Sequence, residues 1–326
     1  MKLARRKFLH LAAGAVALPA VSRIAVAQPY PTRPITMIVP YAAGGLSSVI
    51  GQIVAERMRT SLGRPIIVEN VGGADGSIGA GRAARARSDG YTISIGSIGT
   101  NVLNGAFYSL SYDVLNDFAP VSPLTRSPIV LFARKSMPAN DLRELIAWLK
   151  SNPNQASVAA ADVGLRLLAT LFGSATDTQS ILVPYRGFAP AYQDLAAGQI
   201  DLLFGAPDQL ALVRAGSLRA YAVTSETRLA VAPDIPTFSE VGLPALSFFN
   251  WNGLFAPKGT PRSSIDKLNA AAIEALTDQI VQSRLADLGL EIFPREQQTP
   301  EALDALVKDD AKKWWPVIRK FGIKAE

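Results

Sequence analysis

The chain has 326 residues, 48% hydrophobic and 18% charged, which suits one large globular domain or two ordinary ones and is too apolar for disorder. It has no cysteine, and its one histidine is His10, so a chain without that segment has no Ser-His-Asp, Cys-His, histidine proton-shuttle or usual structural zinc chemistry. The formal charge is +6, but Lys2, Arg5, Arg6, Lys7 and Arg23 fall in the first 27 residues; beyond them 28 basic residues face 27 acidic ones, and no nucleic-acid partner is implied.

The first 27 residues carry the pattern of an export signal. A charged start precedes an apolar stretch from Leu9 to Val21, and Ala25-Val26-Ala27 stands ahead of Gln28, so cleavage after Ala27 is expected. Arg5-Arg6-Lys7-Phe8-Leu9 resembles a twin-arginine motif, although an ordinary Sec signal with two arginines reads the same way. The apolar stretch is too short and too broken by Pro and Gly to span a bilayer. With no lipid-anchor cysteine, the expected product is a soluble periplasmic protein.

From residue 35 onward, β-rich runs alternate with helical ones. ITMIVP (35–40), PIIVENV (65–71) and YTISIGS (91–97) read as strands, separated by helices over 49–63 and 77–88. The alternation continues through strands at 128–134, 157–161, 180–185, 200–205 and 218–225. Helices at 141–153, 166–175, 189–198 and 208–216 fall between or beside them. A proline-rich stretch precedes a strand and turn at 250–259, and helices at 261–278 and 300–322 close the chain. This is the pattern of α/β architecture with mostly parallel sheets.

Val-Pro-Tyr occurs twice, at 39–41 and 183–185, each time ending a strand and entering a glycine-bearing corner before a helix. The repeat suggests two α/β lobes facing a cleft, unless it is a chance recurrence in Val/Pro-rich sequence. In the first corner, AAGGLSS, Gly44 and Gly45 clear the approach to a helix N-terminus, while Ser47 and Ser48 add donors. The phosphate-loop pattern is absent, and GADGSIG (73–79) has the wrong spacing for a dinucleotide fingerprint, so a carboxylate fits best. A plain tight turn with a serine cap is the simpler alternative.

Other candidates follow from the rule that open α/β sheets bind ligands beyond the carboxyl ends of their strands. Ser97, Thr100 and Asn101 follow the third strand, and Gly164 and Arg166 follow SVAAA. Arg166 could pair with a carboxylate or be a solvated surface arginine. Tyr185 and Arg186 occupy the second corner with the same ambiguity, and Asp208 opens the stretch DQLALVRAG. DVLND (113–117) matches no calcium-loop spacing and reads as a surface turn. No metal and no cofactor are expected. Enzyme chemistry is not expected either, since no S-x-x-K stands at an exposed strand–helix junction.

Taken in order, IVENVGGADGSIGA, DGYTISIGSIGTN, VPYRGFAPAYQDLAAGQIDLLF, AGSLRAYAVTS and GLFAPKGTPRSSIDKLNAA resemble the tripartite tricarboxylate transporter substrate-binding proteins, or Bug proteins, across nearly the whole chain. The resemblance implies a type II periplasmic-binding-protein fold, two α/β domains around a ligand cleft. It places domain 1 discontinuously at 28–125 and 251–326, and domain 2 at 126–250. It implies a monomer capturing a small carboxylate, such as a di- or tricarboxylate or an aromatic acid, for the membrane subunits of a transporter. The alternative is a periplasmic carboxylate sensor feeding a two-component system. The family ligand lies against the loop matching 41–48, which adds Tyr41 to the candidates. Two departures stand out. Ser48 replaces a frequent acidic residue, and Gly164-Leu165-Arg166 replaces a Ser/Thr-rich loop ending in Ser-His. They suggest a ligand more anionic, or less amine-bearing, than an amino acid.

Overall fold

The structure is a computed structural model that describes residues 30–185 and 187–323. The export signal, its cleavage site and Arg186 lie outside the described residues.

The first unit begins β1 (Ile35–Val39), α1 (Leu46–Leu62), β2 (Ile66–Asn70), α2 (Ser77–Ala84) and β3 (Thr92–Ser97). β1 pairs in parallel with β2 and β3. Ile35, Met37 and Val39 point to one face of β1 and bury against Ile50, Ile53, Val54 and Met58 of α1, while Ile38 joins the core on the other face. A strand covered on both faces needs this near-continuous apolar run. Each such side chain contributes about 1.5–3 kcal/mol on burial. Gly63 ends α1 in the left-handed conformation, φ 64°. A π-helical turn (Gly99–Leu103) and the short α3 (Asn104–Phe107) lead to β4 (Phe118–Pro128).

The chain then crosses to a second sheet of β5 (Val130–Arg134), β6 (Ser157–Ala160), β7 (Ile181–Pro184), β8 (Leu202–Gly205) and β9 (Leu218–Val223), in spatial order β7-β6-β8-β5-β9. Helices α4 (Leu142–Ser151), α5 (Val163–Thr176), α6 (Phe188–Ala197) and α7 (Leu210–Arg214) connect its strands. The chain returns through β10 (Phe249–Pro257), followed by α8 (Arg262–Thr277), α9 (Gln279–Asp287), β11 (Glu291–Ile292) and α10 (Pro300–Lys320). β10 inserts antiparallel between β3 and β4, giving the first sheet the order β11-β4-β10-β3-β1-β2. The result is two α/β domains, each on its own sheet.

The run expected as one strand at 128–134 is divided between the two sheets. β4 ends at Pro128, β5 begins at Val130, and Ile129 between them is tied to Thr224 at the end of β9. Its N–H donates to Thr224 Oγ1 at 2.8 Å, and its carbonyl accepts from the Thr224 N–H at 2.9 Å. β4 was not legible as a strand because Pro120, Pro123 and Pro128 suggest a loop. Register shifts against β10 and a two-residue partner on the other side accommodate them. The π-helical turn, α3, α9 and β11 were also not foreseen.

Arg134 and Asp201 form the best-shielded ion pair among the described residues, Nε to Oδ1 2.6 Å. Asp201 Oδ2 also accepts from the Ser157 N–H and hydroxyl, each at 2.8 Å. Burial alone would raise this carboxyl, but the Ser157 and Arg134 hydrogen bonds outweigh it and hold the carboxyl below its usual value. A depressed acid stabilises the fold above its unfolded titration and loses that contribution as pH falls. Asp201→Asn is expected to cost about 2–4 kcal/mol in urea unfolding at neutral pH. The gap to the parent protein should narrow below about pH 4.

Candidate functional site

The first Val-Pro-Tyr corner places an open helix end beside the first sheet. Gly45 is the N-cap of α1, no side chain caps it, and no acidic residue lies in the first turn. Gly44 (φ 83°) and Gly45 are exposed, and a Cβ built on Gly44 would meet nothing within 4 Å. The Ser48 and Val49 N–H groups are taken by the Gly45 carbonyl, at 2.9 and 3.0 Å. The Leu46 and Ser47 N–H groups have no acceptor among the described residues. They carry the positive end of the α1 dipole, about half a charge. The second corner repeats this arrangement: α6 has Gly187 (φ 108°) as an uncapped N-cap with nothing within 4 Å of its added Cβ. The other long helices of the second unit, α4 and α5, are capped by Asp141 and Asp162.

The two serines of the first corner are tied down differently. Ser47 Oγ donates to Asn252 Oδ1 of β10 at 3.0 Å. Ser48 is fully buried, and its hydroxyl donates to Asn70 Oδ1 at 3.3 Å, while Asn70 Nδ2 donates to the Tyr41 carbonyl at 3.1 Å. Ser48 is thereby tied into the corner through Asn70.

Next to the corner, Tyr41, Ser97, Thr100 and Asn101 form one hydroxyl-amide network. Tyr41 Oη and Ser97 Oγ are 2.8 Å apart, Ser97 N–H donates to Thr100 Oγ1 at 3.0 Å, and Thr100 Oγ1 donates to Asn101 Oδ1 at 2.8 Å. Asn101 Nδ2 is buried without a hydrogen-bond partner. The second domain reaches this network through the start of α5. A Cβ added at Gly99 would stand 3.3 Å from Tyr41 Oη, 3.4 Å from Ser97 Oγ and 3.9 Å from Val163 Cγ2. One added at Gly164 would meet Asp162 Oδ1 at 3.3 Å, Phe248 Cζ at 3.6 Å and Leu103 Cδ1 at 3.7 Å. The start of α5 thus packs against Gly99 and Leu103 of the first domain.

Two acids flank this meeting point. Asp75, itself at φ 48°, accepts from the Tyr108 hydroxyl through Oδ2 and from Asn104 Nδ2 through its carbonyl at 2.9 Å. Asp162 caps α5, accepting from the Leu165 N–H at 2.8 Å. Burial pushes its carboxyl up to about 6, and the Asp75 charge adds to the rise. The Leu165 and Gly164 N–H groups and Arg166 pull the other way. The Tyr41 phenol is held above its usual range by burial first, with Asp162 and Asp75 adding to it against the Ser97 hydrogen bond.

Other candidates lie elsewhere. Arg166 lines a cavity of about 240 Å³ with Ala160, Thr170, Leu182, Pro184, Phe321 and Ile323. The Arg166 charge also acts on Asp162 and Tyr108. The Tyr185 hydroxyl donates to Asp194 Oδ2 at 2.6 Å, within its own corner, and burial and that carboxylate push it up to about 12. Asp208 Oδ2 accepts from Gln209 Nε2 at 2.8 Å, and the Asp208 backbone lies beside Gly289. Sequence reasoning missed Asn70, Asp75, Asp162 and Asn252. Asp162 alone left a local signal, an aspartate standing three residues before a buried leucine in a helical run. Among the described residues no cluster of acidic, histidine or cysteine side chains could hold a metal ion, and no helix is long and apolar enough to cross a membrane.

Residues 50–323 match the family described as the tripartite tricarboxylate transporter family receptor. Protein BugT of Bordetella pertussis is 34% identical, over 91% of this chain and 92% of that one. MatC of Rhodopseudomonas palustris, solved with bound malate, is 36% identical with a TM-score of 0.82, covering 89% of this chain and all of that one. A second R. palustris protein, solved with adipate, is 29% identical with a TM-score of 0.83, covering 91% of this chain and all of that one.

Proposed function

The chain belongs to the tripartite tricarboxylate transporter receptor family, and from that premise we propose that it captures a small carboxylate in the periplasm for the membrane subunits of a transporter. The observation that carries this reading is the uncapped start of α1, where an open glycine corner exposes two unused N–H groups and no acid neutralises them. A single carboxylate suits a neutral pocket built on one helix end and a few hydroxyls. The malate and adipate bound to two similar proteins are both small dicarboxylates, in keeping with that chemistry.

In this reading Gly44, Gly45 and Ser47 receive the carboxylate, and Tyr41 and Ser97 line its flank. Ser48, Thr100 and Asn101 hold these groups in place. Residues 28–125 with 251–326 form one domain and 126–250 the other, the chain crossing near Ile129 and returning near Phe248. The mature protein starts at Gln28, is soluble in the periplasm and acts as a monomer. Closure of the second domain over the ligand would exclude water and strengthen the charge-assisted hydrogen bonds.

The test is native mass spectrometry of protein purified from the periplasm, followed by thermal unfolding with a panel of carboxylic acids. A small acid should co-purify or, at about a hundred times its Kd, add about 2.7 kcal/mol of stability, a rise of several degrees. A panel of mono-, di-, tri- and aromatic acids without any stabiliser would overturn the reading.

A further inference from the structure

Asp162 is an ionisable group in the cleft that the carboxylate-capture reading does not use. It stands at the start of α5, where the second domain meets Gly99 and Leu103 of the first. Its Oδ1 already takes the Leu165 N–H, and the Gly164 N–H also acts on it, so this helix end is capped by the protein's own acid. The contrast with α1, whose end is open, gives the cleft two unlike ends. One attracts an anion, and the other presents one.

The groups facing Asp162 sharpen this. From the loop after β2 comes Asp75, a second acid. From the end of β1 comes the Tyr41 phenol, whose hydroxyl contacts Ser97. Tyr108, after α3, is engaged by Asp75. On its own helix, Arg166 is the one cation acting on it, beside the Gly164 and Leu165 N–H groups. Leu103 and Phe248 are apolar neighbours of Gly164, two residues on. A second ionised carboxylate arriving here meets two acids, Asp162 and Asp75, against the single charge of Arg166.

We propose that Asp162 controls the second-domain end of the cleft, admitting a second carboxylate on the ligand only together with a proton. The inference rests on the carboxylate-capture reading and names the ligand's far end. With Asp162 ionised, the preferred far end is a hydroxyl, an apolar group or a cation. With Asp162 protonated, its O–H donates to the incoming carboxylate, and the two oxygens share that proton, as paired carboxyl groups do. No bond other than O–H is made or broken, and the proton comes from solvent. The upward shift of this carboxyl to about 6 puts the change within the physiological range.

The experiment is calorimetric titration of the mature protein with adipate and with hexanoate, the same carbon chain with one carboxylate fewer, at about pH 6 and about pH 8. Adipate should bind about tenfold or more tightly at the lower pH, with proton uptake seen as a dependence of the heat on buffer ionisation enthalpy. Hexanoate should change by less than about threefold. Asp162→Asn keeps a side-chain cap for α5 and should bind adipate equally at both pH values. Asp162→Ser, a second capping residue, should do the same. Adipate affinity independent of pH in the parent protein would overturn the inference, as would an unchanged pH dependence in the folded Asn and Ser variants. If hexanoate binds and adipate never does, the proton-linked step falls and carboxylate capture stands. If neither acid binds at either pH, this inference falls, while carboxylate capture is decided separately by the wider acid panel.

Discussion

Gly45→Asp should abolish carboxylate binding while leaving the protein slightly more stable. Gly45 has extended backbone angles, φ −72° and ψ 161°, which any residue adopts, and its added Cβ would meet only the Ala42 carbonyl at an ordinary 3.4 Å. An aspartate there would cap α1 as Asp162 caps α5, accepting from a first-turn N–H and gaining about 0.3 kcal/mol over glycine, with a similar amount from its charge on the helix end. The same carboxylate would occupy the unused donors and set a like charge against the ligand. The combined loss is expected to be about 3 kcal/mol or more, roughly a hundredfold or greater in Kd. Binding and thermal unfolding, measured on one preparation with an acid that stabilises the parent protein, check both signs. Unchanged affinity would remove the α1 corner from the site. Gly45→Asn, which caps without a charge, separates donor blocking from charge repulsion.

Gly79→Ala is expected to be among the most damaging single-methyl additions in the chain. Gly79 lies in the first turn of α2, and an added Cβ would stand 2.4 Å from the Val71 carbonyl oxygen and 2.8 Å from Pro40 Cα. Both are backbone atoms, and Val71 is fixed by its N–H bond to the Val39 carbonyl at 2.8 Å. No rotamer change relieves that overlap, so α2 must move off the sheet. A loss of about 3 kcal/mol follows, about 6–12 °C in a protein of this size. Because Pro40 begins the α1 corner, the displacement should also weaken ligand binding. The check is urea unfolding combined with the same titration, and a midpoint within error of the parent would refute the close-packing argument.

The corner and the fold differ in how far the sequence revealed them. ITMIV, the two glycines and the helical run after them marked a strand, an open turn and a helix start, and all three lie where expected, with α1 beginning three residues earlier at Leu46. Ser97, Thr100 and Asn101 were legible as polar residues at a strand end, but their π-helical turn was not, because GSIGTNVL has no helical periodicity to show. Arg166 was attractive by charge alone. On α5 it lines a cavity with Phe321 and Ile323, and its charge also acts on Asp162 and Tyr108. That geometry depends on how the final helix packs against β7, which no local pattern encodes.

The sequence by itself determined the secondary elements with strong periodicity, the alternating order that makes an α/β chain, the glycine corners and the family to which they belong. These are local properties: the spacing of apolar residues, a missing Cβ, a backbone that must bend. Only the tertiary structure decided that β10 inserts between β3 and β4, which brings Asn252 against Ser47 across 205 positions of sequence. It alone set Asp162 beside Asp75 and Tyr41, and gave an ordinary helix cap a desolvated place between two domains. The physical reason is that burial and electrostatic partnership are set by what packs against a residue. For a group at a domain junction, those partners come from distant parts of the chain.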